Sequence, residues 1–223
     1  MDDDIKKNIA KTGTATVGIV CKDGIILGAD KRMVLGDSYF IGHKRVDKIH
    51  KIADNIVITT AGNVSDIQLV VKLTRAELKL KSIRTRALPS VKEAANLFAS
   101  ILYQNIRKFS PIVAITHFII GGKDSGGFSL YDVAPDGAAN IHKDYTTSGG
   151  FGSLMIYGIL ENEWKKDLSI EEGKKLAIKV LMTAIKRDAS VGEPIDIVVI
   201  DSKGAGKIEE VKISQEEKKE SKK

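Results

Sequence analysis

Few side chains in this sequence are arranged for covalent chemistry, and Thr14 is the most suggestive of them. It follows Gly13 at the head of an apolar run, TATVGIVCKDGIILGADKR, where neither residue type is an obvious way to begin a strand. A threonine at a newly made N-terminus is a catalytic unit in itself. Its hydroxyl attacks, and its free α-amine, with a pKa near ~8, accepts the proton. In the intact chain that amine is a peptide nitrogen and is not basic, so a leader ending at Gly13 keeps the hydroxyl silent. Glycine lacks Cβ and lets the hydroxyl come close to its carbonyl. Such a nucleophile is helped by a cation, and a cation held away from water needs a carboxylate. Asp30, at the end of the second apolar run, and Lys48, within RVDKIHKI, have the right types. By spacing alone, however, they read better as solvated strand-end charges.

Other chemistries find no support in the sequence. His43, His50, His117 and His142 stand in unrelated contexts and form no metal-ligand pair at helical spacing. His117 lies in an apolar run and reads as a core histidine with its polar atoms satisfied. No GxSxG elbow occurs, and the glycine-rich stretches GGKDSGG and SGGFG lack the pattern of a phosphate loop. The single cysteine, Cys21, rules out an internal disulfide framework and a cysteine-rich metal site, and fits a reducing cytoplasm. No metal or organic cofactor is expected. The net charge of +6 is partly carried by the terminal KKESKK, and no basic stripe interleaves with aromatics, so nucleic acid is not an expected partner. No apolar run reaches the ~18 residues of a membrane span, and Met1 to Lys11 lacks the apolar centre of a secretory signal.

The elements that must position Thr14, Asp30 and Lys48 follow from the pattern. With 223 residues the chain suits one domain with a sizeable core. Thr14 to Cys21 and Ile25 to Ala29 read as a hairpin turning at KDG. Tyr39 to Ile41 and Ile49 to Ile52 are short strand candidates, and NIVITTAG is a strand ending at Ala61-Gly62. A helix then runs from about Val64 to Lys81, capped by Asn63 or Ser65. Ser90 and Glu93 form a capping box for a second helix whose Val91, Ala94, Phe98 and Leu102 share one face. PIVAITHFIIGG reads as a buried strand, followed by a hairpin turning at Pro135-Asp136-Gly137. Ser153 to Asn162 is a short helix. A second capping box, Ser169 and Glu172, opens a helix to about Ala189. PIDIVVIDSKG and Lys207 to Ile213 complete the strands, and from Ser214 the chain reads as a charged, disordered tail. Antiparallel meanders with helices packed outside make an α+β layered domain.

At this point a resemblance enters. GTATVGIVCKDGIILGADKR resembles the mature start of archaeal-type proteasome β subunits, members of the N-terminal nucleophile hydrolases. HKRVDKIHKI, ITTAGNVSDIQLVVK, IIGGKD, YGILENEW and AIKRDASVG resemble the same family, in order and with matching spacing. The resemblance implies a four-layer αββα sandwich of two antiparallel sheets flanked by helices. It implies that residues 1–13 are a propeptide removed by autocleavage between Gly13 and Thr14, and that 14–213 form the hydrolase domain, with 214–223 the tail. Thr14 matches the nucleophile, Lys48 the catalytic lysine, Asp30 its acidic partner, and Asp188 the aspartate near the nucleophile. Gly62 matches the oxyanion glycine. Met33, Val46, Thr60 and Val64 fall near positions that shape the specificity pocket, and because they are uncharged the pocket is expected to favour apolar or neutral side chains.

The implied activity is that of a cytoplasmic threonine endopeptidase acting on unfolded proteins. The implied partners are other β subunits in seven-membered rings, stacked in pairs between rings of α-type subunits, with an ATP-dependent unfoldase acting indirectly. The sequence departs from the family at three places. Ala15 stands where a threonine is usual. Phe151 takes the place of a serine near the threonine amine, unless one extra residue is absorbed and Ser148 fills that role. Val191 replaces a second serine. The Ala15 change spares the nucleophile, but Phe151 and Val191 in place of the two serines keep open a non-catalytic subunit that assembles with an active paralogue. A related bacterial two-component ATP-dependent protease subunit shares the fold and nucleophile, but the longer chain and the RDAS stretch speak against it.

Overall fold

The structure, a computed structural model, describes residues 10–12, 14–35 and 40–212. The expected cleavage residue Gly13, Tyr39 and the charged tail from Ser214 lie outside the described residues. The hairpin that follows Thr14 consists of β2 (Ala15–Cys21) and β3 (Gly24–Asp30), joined by a two-residue turn. Its residues are buried almost without exception, because layers cover both faces, and so the sequence is continuously apolar rather than alternating. β11 (Tyr145–Gly149) pairs with the free edge of β2, and β12 (Ile195–Asp201) with that of β3. The short β13 (Gly204–Ala205) and β14 (Glu209–Val211) both pair with β12 and finish this six-stranded sheet.

The larger sheet is built on β7 (Ile56–Asn63). On one side it continues through β8 (Thr116–Asp124), β9 (Gly127–Val133) and β10 (Ala139–His142). On the other side β6 (Ile49–Ala53) pairs with the first half of β7, and β1 (Ala10–Thr12) with its last residues. β1 in turn pairs with β4 (Met33–Leu35), which pairs with β5 (Phe40–His43). All these pairings are antiparallel.

Helices α1 (Val64–Thr85) and α2 (Val91–Ile106) cover the outer face of the larger sheet, where Val70, Phe98 and Phe118 are buried together. Helices α3 (Phe151–Glu163) and α4 (Ile170–Arg187) cover the smaller sheet, with Ile156, Leu181 and Val17 among the buried contacts. Ile25, Leu27, Ile119 and Leu130 fill the layer between the sheets. The result is the expected α+β sandwich of four layers. Both capping boxes form, Ser90 with Glu93 and Ser169 with Glu172.

Three readings change. PIVAITHFIIGG is a strand only from Thr116, since Pro111 opens an irregular stretch whose Ile112, Val113 and Ile115 are exposed. That stretch spends its carbonyls on Asn63, which takes Val113 O through Nδ2 at 2.7 Å and Ile115 O through its backbone N–H at 2.9 Å. Asn63 therefore caps α1 by position and makes no side-chain bond to the helix backbone. The polar leader, finally, contributes a strand at its C-terminal end.

Candidate active site

Asp30 is the last residue of β3, and its carboxylate is wholly buried. Oδ1 accepts from Lys48 Nζ at 2.7 Å and from the backbone N–H of Ala15 at 3.1 Å. Oδ2 accepts from the backbone N–H groups of Arg32 at 2.9 Å and Gly192 at 3.1 Å. One carboxylate oxygen thus bridges the Lys48 ammonium and the amide that follows Thr14. Four donors on one buried anion are the compensation such a group requires. Lys48 is fully buried as well, on the segment entering β6, and its backbone carbonyl takes the N–H of Thr60 at 2.9 Å. Burial holds the Lys48 ammonium below the ordinary lysine range, opposed by the adjacent Asp30 carboxylate and, more weakly, by Asp188. The expectation of a solvated strand end is therefore replaced by a buried ion pair.

Thr14 is completely buried, and its Oγ1 has no hydrogen-bond partner among the described residues. A buried hydroxyl without a partner costs on the order of 1–3 kcal/mol, so it is an informative exception. The Thr14 backbone is held firmly: its carbonyl accepts from the N–H of Gly150 at 3.1 Å. Gly149 has φ +132°, and a Cβ there would lie 1.8 Å from the Thr14 carbonyl oxygen, so only glycine fits.

Asp188 sits at the C-terminal cap of α4. Its Oδ2 accepts from the N–H of Gly152, at the start of α3, at 2.9 Å. Its Oδ1 accepts from Ser190 twice, from the backbone N–H at 2.9 Å and from Oγ at 2.5 Å. Ser190 was not anticipated, although an Asp followed two residues later by Ser is the sequence pattern of an Asx turn. Val191, next to it, is buried in the core beneath α4. A hydroxyl is thus present at this aspartate, one residue earlier than the resemblance suggests. Arg32, also unanticipated, pins the same loop by donating from Nη1 to Ala189 O at 2.7 Å. Ser148 lies opposite Thr16 in the β11–β2 ladder, and its hydroxyl bonds Thr16 Oγ1 at 2.7 Å. The Phe151 backbone opens α3.

Gly62 lies near the end of β7 with φ +119°, opposite Thr12 of β1. A Cβ there would meet Ile115 O at 2.1 Å, so this position also requires glycine. The stretch leading to Thr14 therefore runs as an extended strand between β4 and β7, hydrogen-bonded on both edges. Beside it opens a cavity of about 720 Å³. Val46, Thr60 and Val64, three of the four residues expected to shape a pocket, line this cavity together with Lys48, and Met33 does not. Among the described residues no group of His, Cys, Asp or Glu is placed to hold a metal ion, and no helix is long and apolar enough to cross a membrane.

Comparisons with known proteins agree in kind. The family model described as proteasome subunit matches residues 10–200. A proteasome subunit beta of Ferroglobus placidus is 41% identical over 191 residues, covering 86% of this chain and 88% of its own. That of Archaeoglobus fulgidus is 38% identical over 196 residues, 88% of each chain. That of Methanosarcina mazei is 37% identical over 202 residues, 90% of this chain and 93% of its own.

Proposed function

The chain belongs to the proteasome subunit family, on its β-subunit side, and from that premise we propose that it is a threonine endopeptidase whose nucleophile is Thr14. The observation that carries the reading is the buried Lys48–Asp30 pair anchored on the amide of Ala15. A lysine placed there costs desolvation, and it is useful if negative charge develops beside it.

In this reading Thr14 Oγ attacks the carbonyl carbon of Gly13 and the peptide nitrogen leaves, giving an ester. That step frees the Thr14 amine, and water then hydrolyses the ester, which releases the Gly13 carboxyl group and restores the Thr14 hydroxyl. The amine then accepts the hydroxyl proton as Oγ attacks a substrate carbonyl, returns a proton to the leaving amine as the acyl-threonine ester forms, and water hydrolyses that ester to release the second product and restore the hydroxyl. The Gly62 N–H stabilises the oxyanion. Lys48, with one acceptor in Asp30 among the described residues, turns a remaining N–H toward the alkoxide, a contact that tightens when the leader departs. Asp188, with Ser190 and Gly152, orients the amine side. The leader strand between β4 and β7 supports this site as a peptide cleft, since an extended chain adds there by main-chain pairing. Rings of β subunits between rings of α subunits are the assembly that this family membership favours, with unfolded chains as substrates.

A non-catalytic ring subunit is the second reading, favoured by the apolar Val191 buried beside Asp188. The two are separated by a covalent inhibitor directed at N-terminal threonine, applied to the assembled protein. Labelling at Thr14, abolished in Thr14→Ala, is expected. A leader that persists, with no labelling, establishes the second reading.

A further inference from the structure

Asp30 is followed by Lys31, and Lys48 is preceded by Asp47. The two dipeptides meet with their charges crossed. Lys48 Nζ donates to Asp30 Oδ1 at 2.7 Å, and Lys31 Nζ donates to Asp47 Oδ1 at 2.9 Å. The first is the wholly buried pair bonded to the amide of Ala15, and the second reaches the surface at Asp47. The Lys31 ammonium is itself nearly buried and makes another bond, at 2.8 Å, to Asp196 Oδ2 of β12. Glu210 of β14 lies 3.9 Å from it and engages Arg45. The chemistry assigned to Thr14 gives this second pair no part.

β5 ends at His43 and β6 begins at Ile49, so residues 44–48 have no strand ladder to fix their register. They are held residue by residue instead. Val46 donates its backbone N–H to Lys31 O at 2.9 Å. Asp47 is bonded through its carboxylate to Lys31 and through its backbone to the His50 ring. Lys48 O accepts from the N–H of Thr60 at 2.9 Å. Lys31 thus grips both residues that lead into Lys48, one by its main chain and one by its side chain. An exposed ion pair is ordinarily weak because two long side chains must be ordered to make it. Here Asp196 has already fixed the ammonium, so Asp47 meets a donor that is in place.

We propose that Lys31 is a positioning residue for Lys48. Its ammonium, anchored on Asp196, holds Asp47 and so sets the register in which Lys48 Nζ meets Asp30. It acts through Lys48 and touches no reacting atom. A shift of about 1 Å at Asp47 carries the stem of Lys48 with it, and a misplacement of that size costs up to ~100-fold in rate. Without the grip of Lys31 the contact between Lys48 and Asp30 loosens, and the Asp30 carboxylate then raises the Lys48 pKa less against the effect of burial.

The inference rests on Thr14 acting as nucleophile with a charged Lys48 beside it. The leader-free protein, assembled with its α partner, is assayed with a fluorogenic peptide for kcat, KM and their pH profiles. Asp47→Ala is the main variant, because the Asp47 side chain is 75% exposed and its loss leaves Lys31 paired with Asp196. Lys31→Met with Asp196→Asn is the second, and it removes two buried charges together so that neither stays unpaired. Both variants are expected to lower kcat about tenfold with KM unchanged. Both are expected to move the alkaline limb down by about half a pH unit, part of the 1–3 units that an adjacent opposite charge supplies. A direct field effect separates the two, since Asp47→Ala removes one negative charge and the paired change is neutral overall. A merely structural ion pair lowers the denaturant midpoint and leaves kcat and the limb where they were. Unchanged kcat and limb in Asp47→Ala, or a limb that moves there but not in the paired variant, overturns the proposal. An active wild type with an unaltered Asp47→Ala removes the role of Lys31 alone. A wild type that neither cuts nor is labelled at Thr14 removes the nucleophile and this role with it.

Discussion

Lys48 is a charge held without water, and its titration governs the pH range in which the proposed chemistry runs. Burial depresses its pKa, so the ammonium is present below that depressed value and is lost as pH rises through it. The Thr14 amine must instead be deprotonated, which is favoured as pH rises toward its ordinary ~8. Hydrolysis by the leader-free protein should therefore follow a bell whose alkaline limb lies below the ordinary lysine range, measured as kcat/KM against pH. Asp30→Asn removes the group that raises the Lys48 pKa, so the alkaline limb should move lower still. It also leaves Lys48 buried without its counter-charge and should cost about 3–5 kcal/mol in denaturant unfolding. Ser190→Ala deletes the hydroxyl on Asp188 but keeps the backbone N–H. A stability loss of about 1 kcal/mol is expected, with kcat lowered several-fold and KM unchanged. At this scale Thr14, Asp30 and Lys48 were legible as chemically suitable types, the resemblance turned suitability into an expected site, and the Lys48–Asp30 pair on the amide of Ala15 supports it. Ser190 escaped because its hydroxyl reaches Asp188 from one position earlier than the family pattern. Gly152 and Gly192 escaped because they act through backbone N–H groups, which no side-chain type announces.

The end of β11 meets the Thr14 backbone, and glycine decides how closely. Gly149 contributes no side chain, yet the Thr14 carbonyl occupies the space its Cβ would need. Gly149→Ala should destabilise the fold by about 2–3 kcal/mol in thermal or denaturant unfolding, and should slow leader removal by displacing Thr14. Strands and helices with strong periodicity were read correctly, as with α4, whose Leu176, Val180 and Ala184 are buried along one row. The capping boxes fixed the starts of α2 and α4 to the residue. β1 was not legible, because AKT has no strand pattern of its own and borrows its conformation from the edges of β4 and β7. The stretch before β8 was overread because Ile112, Val113 and Ile115 are apolar but exposed. Hydrophobicity alone does not distinguish a surface for another molecule from a core.

At the scale of the molecule, two sheets bury a shared layer and each carries a helical layer outside, so apolar contacts are distributed over three clusters. That arrangement followed from the order of elements, since antiparallel meanders alternating with helix pairs have few ways to cover both faces. What the order could not convey is that Ala10–Thr12 join the larger sheet between β4 and β7, since that pairing is non-local. Leu69, Leu73 and Leu80 are also exposed along α1, as expected of a face that meets neighbouring subunits. The central claim, that Thr14 frees itself and then cuts, is tested most directly by the intact mass of the chain after co-expression with its α partner. The account predicts a chain beginning at Thr14 in the wild type and a full-length chain in Thr14→Ala. A wild-type chain that keeps its leader in the finished assembly, or a Thr14→Ala chain that loses it at the same bond unaided, contradicts the account.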